Sequence, residues 1–301
     1  MPGYESSGRP RSNATSARLR DVKALVVGGS SEVGSRTAAA LAARGRAVRA
    51  MVRRTEAVDG LRARGVDDVV VGDLNDRAVL TCAFDGVQRV FLMSSATREQ
   101  VSLEVNAIEA AEAADVAHVV KLSNIPITGL DSGLHGNHRE IERRAVESAM
   151  DVTILQPSFF ASVLLRQLPL LQRGRLVLPI GRGRIAWIDP GDIADVATEV
   201  LSRGEPLGPL RLTGPEAIDG DELAARLGVE RLDPPRADWQ QSLLDSGMDP
   251  WLVESTVHLY DAVERGALDF VSPDVERVLG RPPRPIDAWI ADELRPRLRQ
   301  G

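Results

Sequence analysis

The chain has 301 residues, of which 43% are hydrophobic and 27% are charged, a composition typical of a soluble protein of enzyme size. Its formal net charge of −6 argues against nucleic acid or a membrane as the main partner, because both bind basic surfaces. The single cysteine, Cys82, excludes an internal disulfide and a cysteine cluster for zinc.

The N-terminal segment carries no targeting pattern. Residues 1–20 are rich in Ser, Gly, Pro and Arg and lack the apolar core of a signal peptide, so we expect a disordered tail. No run of about 18 apolar residues occurs elsewhere in the chain. These features predict a cytoplasmic protein.

Apolar runs alternate with helix-length segments through the first half. Strands are predicted at 22–27, 47–52, 68–71, 89–93, 118–123 and 152–157, and helices at 32–44, 55–64, 76–83, 98–115 and 137–149. Strict alternation implies parallel strands joined by right-handed crossovers, hence an α/β Rossmann doubly wound parallel sheet with helices on both faces. We therefore predict a dinucleotide-binding Rossmann domain over residues 21–157.

The strict alternation ends after Pro157. A helix is predicted to end near Gly174, two short strands follow, and Asp189 is placed to cap the next helix with Pro190 in its first turn. Further helices are predicted at 219–227, 236–246 and 249–264, with a stiff proline-rich connector at 281–285. Residues 158–301 are accordingly predicted to form a smaller C-terminal α/β substrate-binding domain, with some segments returning to the Rossmann core.

The turn after the first strand has the pattern of a phosphate-binding loop. In "VVGGSSEVG", Gly28 supplies the tight turn and Gly34 permits close packing of helix on strand, but Ser31 stands where such loops usually have a central glycine. The serine hydroxyl can itself bond a phosphate. Glu32 suits the positive end of the helix dipole but repels an anion, so we expect it to point to solvent. The alternative is a structural turn in a cofactor-free Rossmann fold.

The end of the second strand indicates which dinucleotide binds. A site for NAD(H) has an acidic residue there, whereas a 2′-phosphate favours arginine, and the sequence has Arg53 and Arg54. NADP(H) is therefore predicted in preference to NAD(H). The alternative is that both are solvated arginines in an arginine-rich chain.

Eight segments in order resemble the NmrA-like proteins, atypical members of the short-chain dehydrogenase/reductase superfamily. They are "VVGGSSEVG", "VRAMVRR", "VVVGDLND", "VFLMSS", "VVKLSN", "HGNHREIERRAVESAMDVTILQPSFF", "WIDPGDIADVA" and "LRLTGPEAID". The similarity extends from about residue 22 to about residue 283. The family includes NAD(P)H-dependent quinone reductases, azo-dye and triphenylmethane reductases, and regulators that bind the dinucleotide without turning it over.

The resemblance implies a contact for each part of the cofactor. It assigns the pyrophosphate to Gly28, Ser30, Ser31, Glu32 and Val33 and the 2′-phosphate to Arg53. The adenine is assigned to Asp73 and Leu74, and the ribose to Met93, Ser94 and Ser95. The nicotinamide is assigned to Lys121, Ser123 and Asn124, with Pro157, Ser158, Phe159 and Phe160 covering it. The family commonly has Arg-Pro where this chain has Gln156-Pro157.

The chain lacks the usual acid of short-chain dehydrogenases. That acid is a tyrosine whose pKa is lowered by a lysine four residues later. Neither tyrosine of the chain, Tyr4 or Tyr260, is followed by a lysine at that spacing. Lys121, near the end of the fifth strand, is a candidate catalytic or orienting group, or else extends to the surface. His138 and Glu142 share a helix face, so His138 is a second candidate in a substrate pocket, unless the pair only stabilises the helix.

The remaining features bear on the substrate. Phe160 and Trp187 suggest an apolar pocket, although core packing explains them equally well, and no Asp, Glu or His cluster has the spacing of metal ligands. We interpret the chain as an NADP(H)-dependent oxidoreductase that transfers hydride to a small conjugated or quinone-like substrate. The alternatives are a non-catalytic NADP(H)-sensing regulator with a protein partner, and a cofactor-retaining isomerase or cyclase. A homodimer is compatible with each.

Overall fold

The computed structural model describes residues 23–299, and the predicted tail at 1–20 lies outside this range. Within the described residues, no helix combines the length and the apolar character needed to cross a membrane.

The strands are β1 (Ala24–Val27), β2 (Val48–Val52), β3 (Asp68–Val71), β4 (Arg89–Leu92), β5 (His118–Leu122), β6 (Asp151–Pro157), β7 (Arg175–Val177), β8 (Arg184–Ile185), β9 (Leu210–Leu212), β10 (Ile218–Asp219) and β11 (Glu230–Leu232). Seven of them form a parallel central sheet, in the order β3-β2-β1-β4-β5-β6-β9. The two remaining pairs are β7 with β11, parallel, and β8 with β10, antiparallel. The Rossmann doubly wound sheet predicted from the alternating pattern is confirmed.

Helices follow the strands of the first half as predicted, and shorter ones fill the second half. They are α1 (Glu32–Ala43), α2 (Glu56–Arg62), α3 (Arg77–Phe84), α4 (Gln100–Ala113), α5 (Gly133–Glu147), α6 (Leu168–Leu171), α7 (Pro190–Arg203), α8 (Gly220–Leu227), α9 (Arg236–Asp245), α10 (Pro250–Glu264), α11 (Asp274–Leu279), α12 (Ile286–Trp289) and α13 (Arg295–Leu298). A 3₁₀ helix spans Ala161–Gln167 and a π-helix spans Ile290–Leu294.

Side-chain alternation along the strands divides the Rossmann core into two faces. Ala24 and Val26 pack with α1 and α7, whereas Leu25 and Val27 pack with α3, α4 and α5. Because both faces are covered by helices, β1 is apolar along its whole length, as a parallel strand buried on both sides requires. In open parallel sheets of this kind ligands bind at the carboxyl ends of the strands, so a site is expected at that edge.

The second half has a core of its own and also contributes to the sheet. Buried residues from the segments after β5 and β6 and from α8, α9, α10 and α12 form a separate apolar cluster, which includes Trp239, Tyr260 and Trp289. By contrast, β9 pairs with β6 in the central sheet. The single helix predicted after Pro157 is instead the 3₁₀ helix followed by the short α6, in whose first turn Pro169 lies, because proline has no N–H to continue a helix already begun.

A buried carboxylate anchors the proline-rich connector at 281–285. Asp192 on α7 is fully buried and accepts hydrogen bonds from Arg281 Nη2 at 2.8 Å, from Arg284 Nη1 at 2.8 Å and from the Arg284 backbone N–H at 2.6 Å. Asp195, one turn later, contacts the same two guanidinium groups at 2.6 and 2.9 Å. The connector is therefore attached to the helix that covers one face of the sheet.

Candidate active site

A cleft opens at the carboxyl ends of β1, β2, β3 and β4. Nine residues expected to bind the cofactor line it: Gly28, Ser30, Ser31, Arg53, Asp73, Leu74, Met93, Ser94 and Ser95. The remaining lining residues are Val27, Met51, Val52, Gly72 and Leu103. The cleft occupies the position at which open parallel sheets bind nucleotides.

The loop from Gly28 to Gly34 has the close backbone approach of a phosphate cradle. Gly28 has φ +79°, and a Cβ on it would lie 2.7 Å from Met93 Cγ. A Cβ on Gly34 would lie 2.3 Å from the Gly28 carbonyl oxygen, far inside van der Waals contact. Both positions therefore require glycine, and Gly28, Ser30 and Ser31 line the cleft beside the N-terminus of α1, the end of a helix that favours anions.

Ser31 is accommodated at the position of the usual central glycine. Its φ of −73° and ψ of 163° are available to any residue, and its Oγ caps α1 by accepting the Gly34 N–H at 2.9 Å. The hydroxyl proton is donated to Met93 Sδ, 2.9 Å away. Since a thioether is a weak acceptor, a phosphate oxygen is a better partner for this proton, and the serine is compatible with a working loop.

The next two residues of the loop turn their side chains away from the cleft. Val33 is 2% exposed and belongs to the core beside α1. Glu32 is half-buried, with its carboxylate 3.5 Å from Arg36, and Arg36 also pairs with Glu293 of the π-helix at 2.7 Å. Glu32 is thus partly neutralised by Arg36 instead of pointing freely into solvent.

Arg53 extends across the mouth of the cleft. Its Nη2 donates to Ser95 Oγ at 3.0 Å, a contact that joins the end of β2 to the loop after β4. Arg54 is equally exposed but does not line the cleft. Of the two arginines, Arg53, to which the family resemblance assigns the 2′-phosphate, is the one that lines the cleft.

Lys121 does not extend to the surface. Its side chain is 0% exposed, and its Nζ lies 2.8 Å from Glu104 Oε2, which is also fully buried. The ammonium donates to the Leu122 carbonyl oxygen and lies 3.5 Å from His138 Nδ1. Lys121 is accordingly absent from the cleft wall, and its partners lie on α4 and α5.

His138 is an uncharged imidazole in this setting. Burial is the main cause that lowers its pKa well below the ordinary value, and repulsion from the positive charge of Lys121 lowers it further. Burial lowers the pKa of His135 to about 4. Both histidines of α5 are therefore neutral at physiological pH.

Glu142, four residues after His138, belongs to a neighbouring group of contacts. Ser123 Oγ donates to its Oε1, and Gln156 Nε2 lies 3.3 Å from the same oxygen. Ser123 directly follows β5, and Gln156 is the last but one residue of β6. Gln156, which stands where the family commonly has arginine, thus contacts the Glu142 carboxylate.

The aromatic residues divide between two cores. Phe159 packs edge-on against Trp187 and Tyr260, at ring-centroid distances of 5.5 and 5.6 Å, whereas Phe160 packs against the Rossmann core. Trp187 is 2% exposed and its Nε1 has no partner among the described residues. Burial raises the pKa of Tyr260 to about 12. Of the other residues assigned to the nicotinamide end, Pro157 and Ser158 are buried and Asn124 is half-buried.

Sequence reasoning missed several contributors. Gly72 lines the cleft, and a Cβ at this position would lie 2.4 Å from Val79 Cγ1. Because Gly72 directly follows β3, its place at the ligand-binding edge of the sheet could have been predicted from the sequence. Glu104 and Leu103 were missed because nothing in the local pattern of α4 shows which of its residues face inward.

Comparisons with known proteins agree with this geometry. A profile of the NmrA-like family matches residues 20–224. The NAD(P)H azoreductase of Xenophilus azovorans is 32% identical over 273 residues, which is 86% of this chain and 94% of that protein. The (4-alkanoyl-5-oxo-2,5-dihydrofuran-3-yl)methyl phosphate reductase of Streptomyces griseus is 33% identical over 277 residues, which is 89% of this chain and 96% of that protein.

A solved structure shows the same fold. The NADPH-dependent quinone oxidoreductase of Escherichia coli, in complex with NADPH, superimposes with a TM-score of 0.78 at 24% identity, covering 90% of this chain and 99% of that chain. The family profile, the two relatives above 30% identity and the order of the motifs agree. This chain is a member of the NmrA-like family of atypical short-chain dehydrogenases/reductases.

Proposed function

We propose that the protein is an NAD(P)H-dependent reductase that uses NADP(H) in preference to NAD(H) and reduces a small conjugated or quinone-like substrate. The observation that carries the proposal is the cleft at the carboxyl ends of β1 to β4. It combines a glycine-dependent cradle at the N-terminus of α1 with a guanidinium at the end of β2.

The residues of the cleft fit the parts of such a dinucleotide. Arg53 and Ser95 would donate hydrogen bonds to a 2′-phosphate, and the backbone N–H groups from Gly28 to Ser31 would bind the pyrophosphate. The further assignments made from the family resemblance, at Asp73, Leu74, Met93 and Ser94, are part of the same proposal. Those at Lys121, Ser123, Asn124 and 157–160 rest on the resemblance alone.

The names of the relatives support the substrate class. An azo compound, a quinone and an oxo-dihydrofuran with an adjacent alkanoyl group all offer a conjugated acceptor. The reduced nicotinamide supplies hydride to such an acceptor when it is bound. An electron-poor conjugated acceptor takes hydride without a strong acid beside it, which agrees with the absence of a tyrosine and lysine pair and with the high pKa of Tyr260.

The test compares Arg53→Gln with Arg54→Gln by titrating NADPH and NADH against protein fluorescence. A charge-assisted hydrogen bond contributes about 1.5–3 kcal/mol, so Arg53→Gln is expected to weaken NADPH binding by about 10- to 100-fold and to leave NADH binding nearly unchanged. Arg54→Gln is the matched control, because it removes the same charge outside the cleft.

Turnover is measured with menadione and an azo dye while the nicotinamide absorbance is followed. Consumption of NADPH with either acceptor supports the reductase. NADPH binding with no consumption across the acceptor panel contradicts the reductase and supports the regulator. Failure to bind either dinucleotide contradicts the whole proposal.

A further inference from the structure

A buried ion pair connects the wall of the cleft to the helix that carries His138. Glu104 and Lys121 are both 0% exposed and their charged atoms are 2.8 Å apart. Burying two charges costs several kcal/mol per ion before their attraction is counted, so an apolar pair would stabilise this position at least as well. The ion pair therefore needs an explanation other than stability.

The pair reaches the cleft through Ser94. Ser94, one of the lining residues, donates its Oγ–H to Glu104 Oε1 at 2.9 Å, and Gln100 Nε2 lies 3.3 Å from the same oxygen. Lys121 lies on the strand beside β4, in register with Leu92. A continuous series of polar contacts thus runs from the cleft through Glu104 and Lys121 to His138.

The ammonium of Lys121 decides which nitrogen of His138 carries the proton. It has three N–H donors and three acceptors around it, namely Glu104 Oε2, the Leu122 carbonyl oxygen and His138 Nδ1. A proton on Nδ1 would face a cation 3.5 Å away, so Nδ1 presents its lone pair and the proton of the neutral ring resides on Nε2. Burial and the positive charge of Lys121 oppose a second proton.

We propose that Glu104 and Lys121 are positioning residues that hold His138 as a neutral imidazole with its proton on Nε2, available as a hydrogen-bond donor to the reduced acceptor. This inference rests on the proposed reductase function. When a quinone accepts hydride, one of its oxygens becomes negatively charged, and the Nε2–H of His138 stabilises that oxygen without releasing its proton. The hydroquinone monoanion then takes its second proton from water, which completes the two-electron reduction.

The first test reads the tautomer of His138 directly, by ¹⁵N NMR of the full-length protein labelled at histidine. The chain has four histidines, and the His138 signals are assigned by their loss in His138→Gln. We expect the pattern of a neutral ring protonated on Nε2 at pH 7. A ring protonated on Nδ1, or an imidazolium, overturns the proposal.

The perturbation is the double substitution Glu104→Gln with Lys121→Met, which removes both charges so that neither is stranded in the core. If the ammonium sets the tautomer, His138 in this variant becomes a mixture of the two neutral forms and its pKa rises. An unchanged tautomer and an unchanged pKa refute the role of Lys121. Glu109→Gln, an exposed position on α4, is the control and is expected to leave His138 unchanged.

A kinetic test separates positioning from a structural role. With NADPH and menadione, the double variant is expected to lower kcat by about tenfold or more with little change in the KM for NADPH, since a displaced catalytic contact costs up to about 100-fold. His138→Gln is expected to lower kcat by about 100-fold, the effect of losing one donor to a developing oxyanion. An equal loss of kcat in Glu109→Gln would contradict the positioning role of Glu104 and Lys121. Absence of turnover in the unmodified protein would refute the reductase but leave the NMR result interpretable.

Discussion

The cap that Ser31 makes at the N-terminus of α1 allows a quantitative test of why serine is tolerated in this loop. Ser31 Oγ accepts the Gly34 N–H at 2.9 Å and occupies the N-cap of α1 with extended backbone angles. Replacing an N-cap serine by alanine costs about 1 kcal/mol, whereas glycine at this position costs only a few tenths. We therefore expect Ser31→Ala to reduce the free energy of unfolding by about 1 kcal/mol and Ser31→Gly by much less.

The measurement is the midpoint of thermal unfolding without cofactor. For a chain of 301 residues, a loss of about 1 kcal/mol lowers the midpoint by about 2 °C. Ser30→Ala is the control, because Ser30 lines the same cleft but is exposed and caps no helix. Equal effects of Ser30→Ala and Ser31→Ala, or a larger loss for Ser31→Gly than for Ser31→Ala, would refute this account of the serine.

Three further outcomes are expected. Gly34→Ala places a Cβ 2.3 Å from the Gly28 carbonyl oxygen, so NADPH binding should fall below detection by fluorescence titration; near-normal affinity would contradict the cradle. Burial lowers the pKa values of His118 and His135 to about 4, so the folded state binds protons less readily than the unfolded chain. The stability that these neutral rings provide is complete above about pH 6.5 and falls by up to about 3 kcal/mol per histidine as the pH approaches 4; a thermal midpoint that does not change between pH 7 and 4.5 would count against this. Asp192→Ala removes the buried partner of two guanidinium groups, which keep Asp195, and should cost about 2 kcal/mol in urea unfolding, the contribution of a hydrogen bond to a charged group; a loss below about 0.5 kcal/mol would show that Asp192 does not hold the connector in place.

Agreement between prediction and structure is closest where the signal is local. Each strand predicted in the first half lies within one or two residues of an observed strand, because a strand buried on both faces is a continuous apolar run that its turn residues delimit. The second half was less predictable, since its strands of two or three residues carry too little pattern. Pro169 broke a run that otherwise has the periodicity of one helix.

The same distinction applies to the candidate site. The residues that directly follow β1, β2, β3 and β4 line the cleft, and all but Gly72 were expected there, because the position of a residue at the end of a parallel strand places it at the common edge of the sheet. Lys121 also lies near the end of a strand, but its side chain points to α4 and not to the cleft. The direction of a side chain depends on which face of the sheet it occupies and on what packs there.

The sequence by itself determined the Rossmann sheet, the glycine-containing turn after β1 and the arginines after β2, because each depends on residues adjacent in the chain. Only the tertiary structure decided that Ser31 caps α1, that Arg53 contacts Ser95 across the cleft, and that Glu104 and Lys121 meet in the core. These contacts join residues on different elements, and their energies depend on distances and burial that arise only when strands and helices pack together.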